Sequence, residues 1–528
     1  MKRLENPNWN KRKQRNRWLW TAAIGILILL PIGVCSAYVI KKYDIVDNGL
    51  AALSTNEPKK SFIVSRDSEL QAAIETAKPG ETIVLKAGAT FNAAIKLPNK
   101  RGNEFITIRT SAEDSELPAE NVRLDPKKYS SKLAKIVSNV KGEPAVLAAN
   151  GAHHFRFIGI EFGGTIEGLY NIIQIGTSEE KTVEELPHHI EFDRVYIHGD
   201  KKVGQRRGIA ANGRNIVIKN SHISDIMRKG EESQAICVWA TDGPIEITNN
   251  YLEAAAEGIL FGGGDSTLKL VPTDVIVRDN WINKPLEWRN TDWVVKNMFE
   301  IKNGRRIKVF NNLMTNNWLM GQDGSAILFT TRADTGMATV IEDIDFTDNV
   351  VRGSSNAINI LGNEGSGGRR LNIRNNIFDD INSKKWGGNG FLLKCTAWDG
   401  LNIENNTIIQ DGNITTAYGE PVKRLVFRNN IIFNNEYGFI GDSMSPGKAT
   451  LGKFFPNSII SNNIIIGGSS SNYGDSNFYP NSLDQIGFMN LNAKDYRLKS
   501  DSSYLKKGFG GKQIGADLDI SKVGGTKF

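Results

Sequence analysis

The amino-acid sequence predicts an all-β fold, a parallel β-helix of about ten or more coils, with an N-terminal capping helix preceded by a single transmembrane helix. The first observation is a short motif, seen at residues 371–378, in which alternating aliphatic residues flank an Asn pair; it recurs almost to the C-terminus. The second is the spacing of its copies, which lie 24 to 37 residues apart. The third is the period of two in the apolar positions, with many β-branched residues, which indicates strands.

The Asn pair has a physical role in this motif. Asn tolerates the left-handed backbone angles of a tight corner, and its amide can hydrogen-bond to the equivalent Asn one coil away, about 4.8 Å along the axis. We therefore expect these residues to be structural. The second residue of each pair, or its equivalent, is Ser221, Asn250, Asn280, Asn312, Asn349, Asn376, Asn406, Asn430 and Asn463.

The N-terminal segment predicts the location of the protein. Residues 1–17 carry +6 of the chain's net charge of +7, so the body is close to neutral and no nucleic-acid partner is expected. Residues 18–40 are uncharged and apolar, which is long enough to cross a bilayer. The basic flank then lies in the cytoplasm and the body is periplasmic or extracellular. The alternative is a signal peptide cleaved near residues 35–37, which would release a secreted protein.

A helix is predicted where the solenoid begins. Asp67 or Ser68 caps this helix, which places Leu70 and Ile74 on one face. Such a helix shields the open core of a first coil. The predicted organisation is a basic tail at 1–17, an anchor at 18–40, a stalk at 41–61, an N-terminal cap with first coils at 62–150, the β-helix at 151–483, and a C-terminal cap and tail at 484–528.

A second set of strands shows the same alternation. Its inward positions include Ile236, Ile259 and Phe299, and one copy at residues 391–395 places Phe391 inward. The outward face combines charged, aromatic and glycine positions, and we expect it to be exposed. Those outward positions are Cys237, Trp239, Leu260, Gly262, Glu300, Lys302, Leu328, Thr330, Asn359 and Lys394.

Two stretches carry a family resemblance. Residues 67–88 and the Asn repeat resemble the pectate-lyase-like right-handed parallel β-helix superfamily, over about residues 62–500. Residues 67–88 are similar to the N-terminal segment of polysaccharide lyases that act on alginate and on chondroitin or dermatan, and the chain is similar to bacterial β-helix repeat proteins. The resemblance implies a right-handed helix and a polysaccharide partner. It implies less about activity, because the superfamily also holds hydrolases, epimerases, esterases and non-catalytic adhesins.

Cleavage of an acidic polysaccharide by β-elimination needs a cation for the uronate carboxylate, a base for the C5 proton and an acid for the leaving oxygen. Glu300 and Lys302 are two apart on one strand and face the same way. We predict Lys302 as the base and Arg332 as the neutralising cation. Glu257 precedes the neighbouring strand and joins Glu300 as a catalytic candidate. With Asp265, these two carboxylates could also hold Ca²⁺. The alternative is an ion pair on a solvated sheet.

Aromatic faces stack on sugar rings, and the tryptophans after the anchor cluster between residues 239 and 398. Trp239, Trp288 and Trp293 are therefore predicted to contact a glycan, together with Gln234 and Arg207.

Other aromatic residues have structural explanations. Trp281 shares one aligned column with Tyr196, His222 and Tyr251, which predicts an aromatic stack. His198 and His222 fall in different columns, so we expect no zinc site.

The sequence thus predicts an outward-facing, membrane-anchored β-helix that binds an acidic polysaccharide. Cleavage of that polysaccharide as a lyase stays open, with Ca²⁺ as the candidate cofactor. Two other classes stay open: a non-catalytic envelope protein that binds glycan or protein, and a glycoside hydrolase that uses Glu257 and Glu300.

Overall fold

A computed structural model describes residues 60–164, 170–332 and 339–525. The predicted basic tail, the apolar segment at 18–40 and nearly all of the stalk lie outside the described residues. Within the described ranges, no helix is long and apolar enough to cross a membrane.

The described residues form three long parallel sheets, and each coil contributes one strand to sheet 1, then one to sheet 3, then one to sheet 2. Sheet 1 comprises Ser61–Val64, Thr82–Leu85, Ile106–Thr110, His153–Ile158, His188–Asp193, Arg214–Lys219, Ile245–Thr248, Thr273–Arg278, Gly304–Phe310, Ile341–Thr347, Gly368–Arg374, Trp398–Glu404, Lys423–Arg428 and Ile459–Ser461. Sheet 2 comprises Ile95–Leu97, Val146–Ala148, Asn171–Ile175, Arg207–Ala211, Gln234–Val238, Glu257–Phe261, Phe299–Ile301, Ser325–Thr330, Asn356–Leu361, Leu393–Thr396, Thr415–Ala417 and Phe439–Gly441. Sheet 3 comprises Thr90–Asn92, Ala134–Val137, Ile160–Gly163, Tyr196–His198, His222–Ile226, Tyr251–Ala254, Trp281–Asn283, Leu313–Asn317, Val350–Ser354, Ile377–Ile381, Thr407–Gln410, Ile431–Phe433 and Ile464–Ile466.

Shorter elements complete the chain. One antiparallel pair joins Phe488–Asn490 to Asp495–Leu498. The α-helices are Asp67–Thr76, Pro126–Tyr129, Ser383–Trp386, Lys448–Phe454 and Ser470–Tyr473. The 3-10 helices are Asp114–Glu116, Ser130–Lys132, Val183–Glu185, Leu286–Trp288, Gln322–Gly324, Leu483–Gln485, Phe509–Gly511 and Ile520–Lys522.

The predicted alternation in sheet 2 is confirmed over most of its length. Ile236, Ile259 and Phe299 are fully buried in the core that the three sheets enclose. The exception is the strand of sheet 2 that follows residue 386. The strand there begins at Leu393, which pairs with Ile358, so Leu393 and Cys395 point inward and Phe391 lies before the strand. A helical turn and glycines at 387, 388 and 390 with positive φ lengthen this connection and shift the register.

The two predicted roles, turning the corner and bonding to the next coil, belong to different members of each Asn pair. Asn405 takes the left-handed corner, with φ of 55°. Asn406 is fully buried and donates its backbone N–H to Asn430 Oδ1 at 3.0 Å. Its Nδ2 donates to Ile373 O and to Asn430 Oδ1, and its own Oδ1 accepts the N–H of Asn376. The bond from a backbone N–H to the side-chain oxygen of the next Asn repeats along Ser221, Asn250, Asn280, Asn312, Asn349, Asn376, Asn406, Asn430, Asn463 and Asn477.

The N-terminal capping helix is confirmed, and Leu70 and Ile74 are fully buried. Its cap differs from the prediction. The N-cap residue is Arg66, which makes no side-chain capping bond. The carboxylate of Glu69 instead accepts the N–H of Ser65, so an acidic group in the first turn satisfies a free amide.

The C-terminal end of the core is closed by aromatic residues ahead of the predicted cap. Phe454, Phe455 and Tyr473 join the interior cluster around Phe439. Residues 508–525, predicted to cap the last coil, run back along the corners of earlier coils. This segment bonds to Thr407, Asn375, Asn311 and Arg123.

The Asn ladder yields a stability prediction. Asn406→Ala removes several buried hydrogen bonds and leaves their partner groups unsatisfied, so it should lower the free energy of unfolding by about 3 kcal/mol or more. Asn402→Ala is the matched control. Asn402 lies in the same coil, is half-buried, and donates one side-chain bond to Asn372; its loss should cost below about 1 kcal/mol. Denaturant unfolding of the full chain measures both, and equal losses would contradict a structural ladder.

Candidate functional site

The outer face of sheet 2 carries charged groups that are buried. Glu300 and Lys302 point away from the core, as predicted, yet Glu300 is 0% exposed and Lys302 is 6% exposed, and Glu257 beside them is also 0% exposed. The expectation of a solvent-exposed face is therefore wrong here. Connecting segments of neighbouring coils lie over the sheet; for example, the N–H of Gly321 donates to the carbonyl of Val295. Buried charges persist only when they are paired.

Lys296 lies at the centre of this group. Its Nζ is 3.1 Å from Glu257 Oε1, and it also forms an ion pair with Glu232, which is partly exposed. Burial alone would lower the pKa of Lys296, but Glu257, Glu300 and Glu232 outweigh it and raise this pKa. Lys296 is therefore held as a cation.

Glu300 is the carboxyl group with the most perturbed environment in this group. Burial raises the pKa of Glu300 from 4.5 to about 7, and the nearby Lys302 opposes the rise. Lys302 Nζ is 4.0 Å from Glu300 Oε1. Thr330 Oγ1 and Asn297 Nδ2 donate to the carboxylate at 3.4 and 3.3 Å. Glu300 can therefore hold or release a proton near neutral pH.

The predicted binding residues continue this network toward the N-terminus. Gln234 Nε2 donates to Glu257 Oε2 at 2.8 Å, and Arg207 Nε donates to Gln234 Oε1 at 3.1 Å. The Arg207 guanidinium lies 4.9 Å from the ring centre of Trp239, and both side chains are partly exposed. We call this set the sheet 2 network: Arg207, Gln234, Glu257, Lys296, Glu300 and Lys302.

Two predicted site residues lie apart from this network. The side chain of Arg332 faces Glu364, at 3.6 Å, although its backbone N–H contacts the Lys302 carbonyl. Asp265 forms an ion pair with Lys269 at 3.0 Å. Within the described residues, the calcium set of Glu257, Glu300 and Asp265 does not bring three ligand atoms together. Calcium binding by these residues stays a prediction.

Two of the three predicted sugar-contacting tryptophans are packing residues. Trp288 and Trp293 are buried in a cluster with Trp318 and Trp386. They hold the connecting segments over sheet 2, so neither presents a free face to a glycan. Trp239 remains accessible, and its Nε1 donates to Ser178 Oγ at 2.8 Å.

The predicted aromatic column lies in an open cleft of about 600 Å³ on sheet 3. Neighbouring rings of Tyr196, His222, Tyr251 and Trp281 have centroids 4.6 to 5.5 Å apart. Acidic groups share the cleft. Burial, together with Asp225, raises the pKa of Glu253 to about 7, and burial also raises the pKa of Asp225.

Lys296 is the site residue that sequence reasoning missed. It lies in the connection that precedes Phe299–Ile301. Alternation assigns faces only within strands, so no periodic signal could place this side chain beside Glu257.

Comparisons with known proteins concern the fold. No protein-family model matches the chain, and no curated protein matches it. The structure is similar to that of the PL6 family alginate lyase AlyGC, at 14% identity and a TM-score of 0.46, covering 88% of this chain and 58% of that one. It is similar to the PL6 family polysaccharide lyase Pedsa3628 from Pseudopedobacter saltans, at 14% identity and a TM-score of 0.45, covering 88% of this chain and 99% of that one. It is also similar to pectate lyase Pel9A, at 14% identity and a TM-score of 0.35, covering 85% of this chain and 90% of that one. These similarities assign no activity to this chain.

Proposed function

We propose that this chain binds an acidic polysaccharide along the outer face of sheet 2 and cleaves it by β-elimination. The observation that supports this most is the sheet 2 network, in which Arg207 donates to Gln234, Lys296 forms an ion pair with Glu257, and Lys302 lies beside Glu300. Perturbed titratable groups cluster at functional sites. Paired cations of this kind suit the repeating carboxylates of a uronate polymer.

A substrate must be able to reach the buried cations. The contact between Lys296 and Glu232 lies at the edge of the network, because Glu232 is partly exposed and comes from a connecting segment. A uronate carboxylate has the same charge and shape as the Glu232 side chain. It therefore replaces Glu232 on Lys296, and Arg207 and Trp239 at the open end bind the neighbouring sugars.

The reaction follows from the remaining groups. Lys302, in its neutral form, takes the C5 proton. The electrons of the C5–H bond form the C4–C5 double bond, and the C4–O bond breaks. Glu300 then gives its proton to the leaving oxygen, a role that suits a pKa near 7. Arg332 keeps its predicted role as a second cation for the uronate, and Ca²⁺ at Glu257 remains a candidate that chelator treatment tests.

A second candidate function is hydrolysis of a glycosidic bond in the sheet 3 cleft. Asp225 and Glu253 lie beside an aromatic stack, and the pKa of Glu253, raised to about 7 by burial, suits the general acid of a glycosidase, with Asp225 as the second carboxyl group. The hydrolase alternative predicted at Glu257 and Glu300 is less favoured, because Lys296 and Lys302 occupy the space beside these carboxylates.

Lyase action predicts a new ultraviolet absorbance from the C4–C5 double bond when the full chain acts on alginate, pectate or a glycosaminoglycan. Lys302→Ala removes the base and should reduce the rate by about a hundredfold or more. The control is Lys308→Ala, since Lys308 is exposed on the strand of sheet 1 that follows Lys302 in the chain. Circular dichroism checks that both variants fold.

The alternatives give different results in the same assay. Full activity in Lys302→Ala would contradict the site. New reducing ends without the absorbance, lost in Glu253→Gln, would indicate hydrolysis in the sheet 3 cleft. Binding without either product would indicate a non-catalytic glycan-binding protein.

The raised pKa of Glu300 sets the pH dependence. The group is protonated below about 7 and ionised above it. An acid must carry its proton, while the Lys302 base must have lost one, so both groups shape the pH profile of kcat/KM. Glu300→Gln keeps the base but cannot donate a proton, so the ratio of the parent kcat/KM to that of Glu300→Gln should fall as pH rises through about 7. A ratio that does not change across neutral pH would exclude Glu300 as the acid.

We also propose that residues 18–40 anchor the body outside the cytoplasm. The basis is the length of the uncharged run and its basic flank. The chain should stay in the membrane fraction after alkaline extraction, and protease added outside the cytoplasm should digest the body. Recovery of a shortened soluble chain would indicate a cleaved signal peptide.

A further inference from the structure

Four of the six histidines gather at one corner of sheet 1. The strands His153–Ile158 and His188–Asp193 are neighbours, and His153 pairs with His188 in register. The imidazole rings of His153 and His188 stack with centroids 4.6 Å apart, and those of His154 and His189 stack at 4.4 Å. The four rings therefore form a two-by-two array across two coils.

A repeated backbone feature brings successive side chains to the same side. His154 and His189 have φ of 58° and 52°, in the left-handed region. This conformation interrupts the alternation of the strand, so each histidine lies outside while the following residue, Phe155 or Ile190, enters the core. The corner recurs in other coils, where the left-handed residue is Asp274, Arg306, Asp343, Arg370 or Arg424.

Three of the imidazoles in this array are close enough to share one ion. Between His153 and His154, and between His188 and His189, the two Nδ1 atoms are 2.7 Å apart, which is a hydrogen-bond distance. One ring nitrogen from each of His153, His154 and His188 lies within 4.8 Å of the others. Zinc holds imidazole nitrogens at about 2.0–2.1 Å in a tetrahedron, which places the nitrogens about 3.3 Å from each other. Small ring rotations therefore convert the array into a coordination site.

The surroundings leave the array accessible. His189 and Phe105 line a surface cleft of about 320 Å³. The nearest cation in the same column is Arg214, which pairs with Asp242 at 3.0 Å. The neighbouring Arg156 is bonded to Glu191 at 2.7 Å. Both guanidinium groups thus have carboxylate partners of their own.

We propose that His153, His154 and His188, with His189 stacked on His154, form a binding site for one Zn²⁺ ion that links two adjacent coils. Imidazole nitrogens favour zinc and its late transition-metal neighbours over Ca²⁺ or Mg²⁺, which prefer oxygen ligands. The site lies on sheet 1, whereas the predicted calcium ligands belong to sheet 2 and its connections. The proposal is independent of the proposed lyase function.

The test uses the full chain without a histidine tag, stripped with a chelator and dialysed against excess ZnCl₂. We expect one zinc ion per chain. The variant His153→Ala with His188→Ala should lose it, whereas the control His198→Ala should retain it. His198 is the matched control because it lies on sheet 3 and contacts Glu161.

A second measurement guards against misfolding of the double variant. Co²⁺ bound to the parent chain should give the visible spectrum of nitrogen ligands without thiolate charge transfer, and zinc should protect the four histidines from acylation. Zinc retained in the double variant, a thiolate band with Co²⁺, or no zinc bound by the parent would each overturn the proposal.

Discussion

The buried Asn ladder is the interaction on which the rest of this structure depends. Each ladder Asn donates its backbone and side-chain N–H groups to the Asn of the next coil and accepts from the previous one. Any slip between coils would leave these polar groups unsatisfied in the core, at a cost of about 1–3 kcal/mol each. The ladder therefore fixes the register of one coil on the next, although coil length varies.

Fixed register explains how distant segments can build a site. Gln234, Glu257 and Glu300 come from three successive strands of sheet 2, where Gln234 pairs in register with Glu257, and Glu300 pairs with Leu260. The same register stacks His153 on His188 at the corner of sheet 1. In both cases side chains from separate coils meet only because the coils cannot shift along one another.

Alternation and the Asn pairs were sufficient to predict the fold class, most of the inward residues and the outward direction of Glu300 and Lys302. They could not predict burial, since Glu300 also contacts Asn297 in a connection, where alternation assigns no face. They could not place Lys296, which lies in the same connection, nor show that Trp288 is buried in a cluster of tryptophans. The histidine array was not predicted from the sequence, for a related reason. A left-handed residue at His154 breaks the period of two on which the sequence argument relied.

The most direct measurement of the central claim is a crystal structure of the chain with a short oligouronate. The account predicts a uronate carboxylate on Lys296, with the Glu232 side chain displaced and a sugar ring beside Trp239. An oligosaccharide bound in the sheet 3 cleft, with the contact between Lys296 and Glu232 intact, would contradict the assignment of the sheet 2 network as the site.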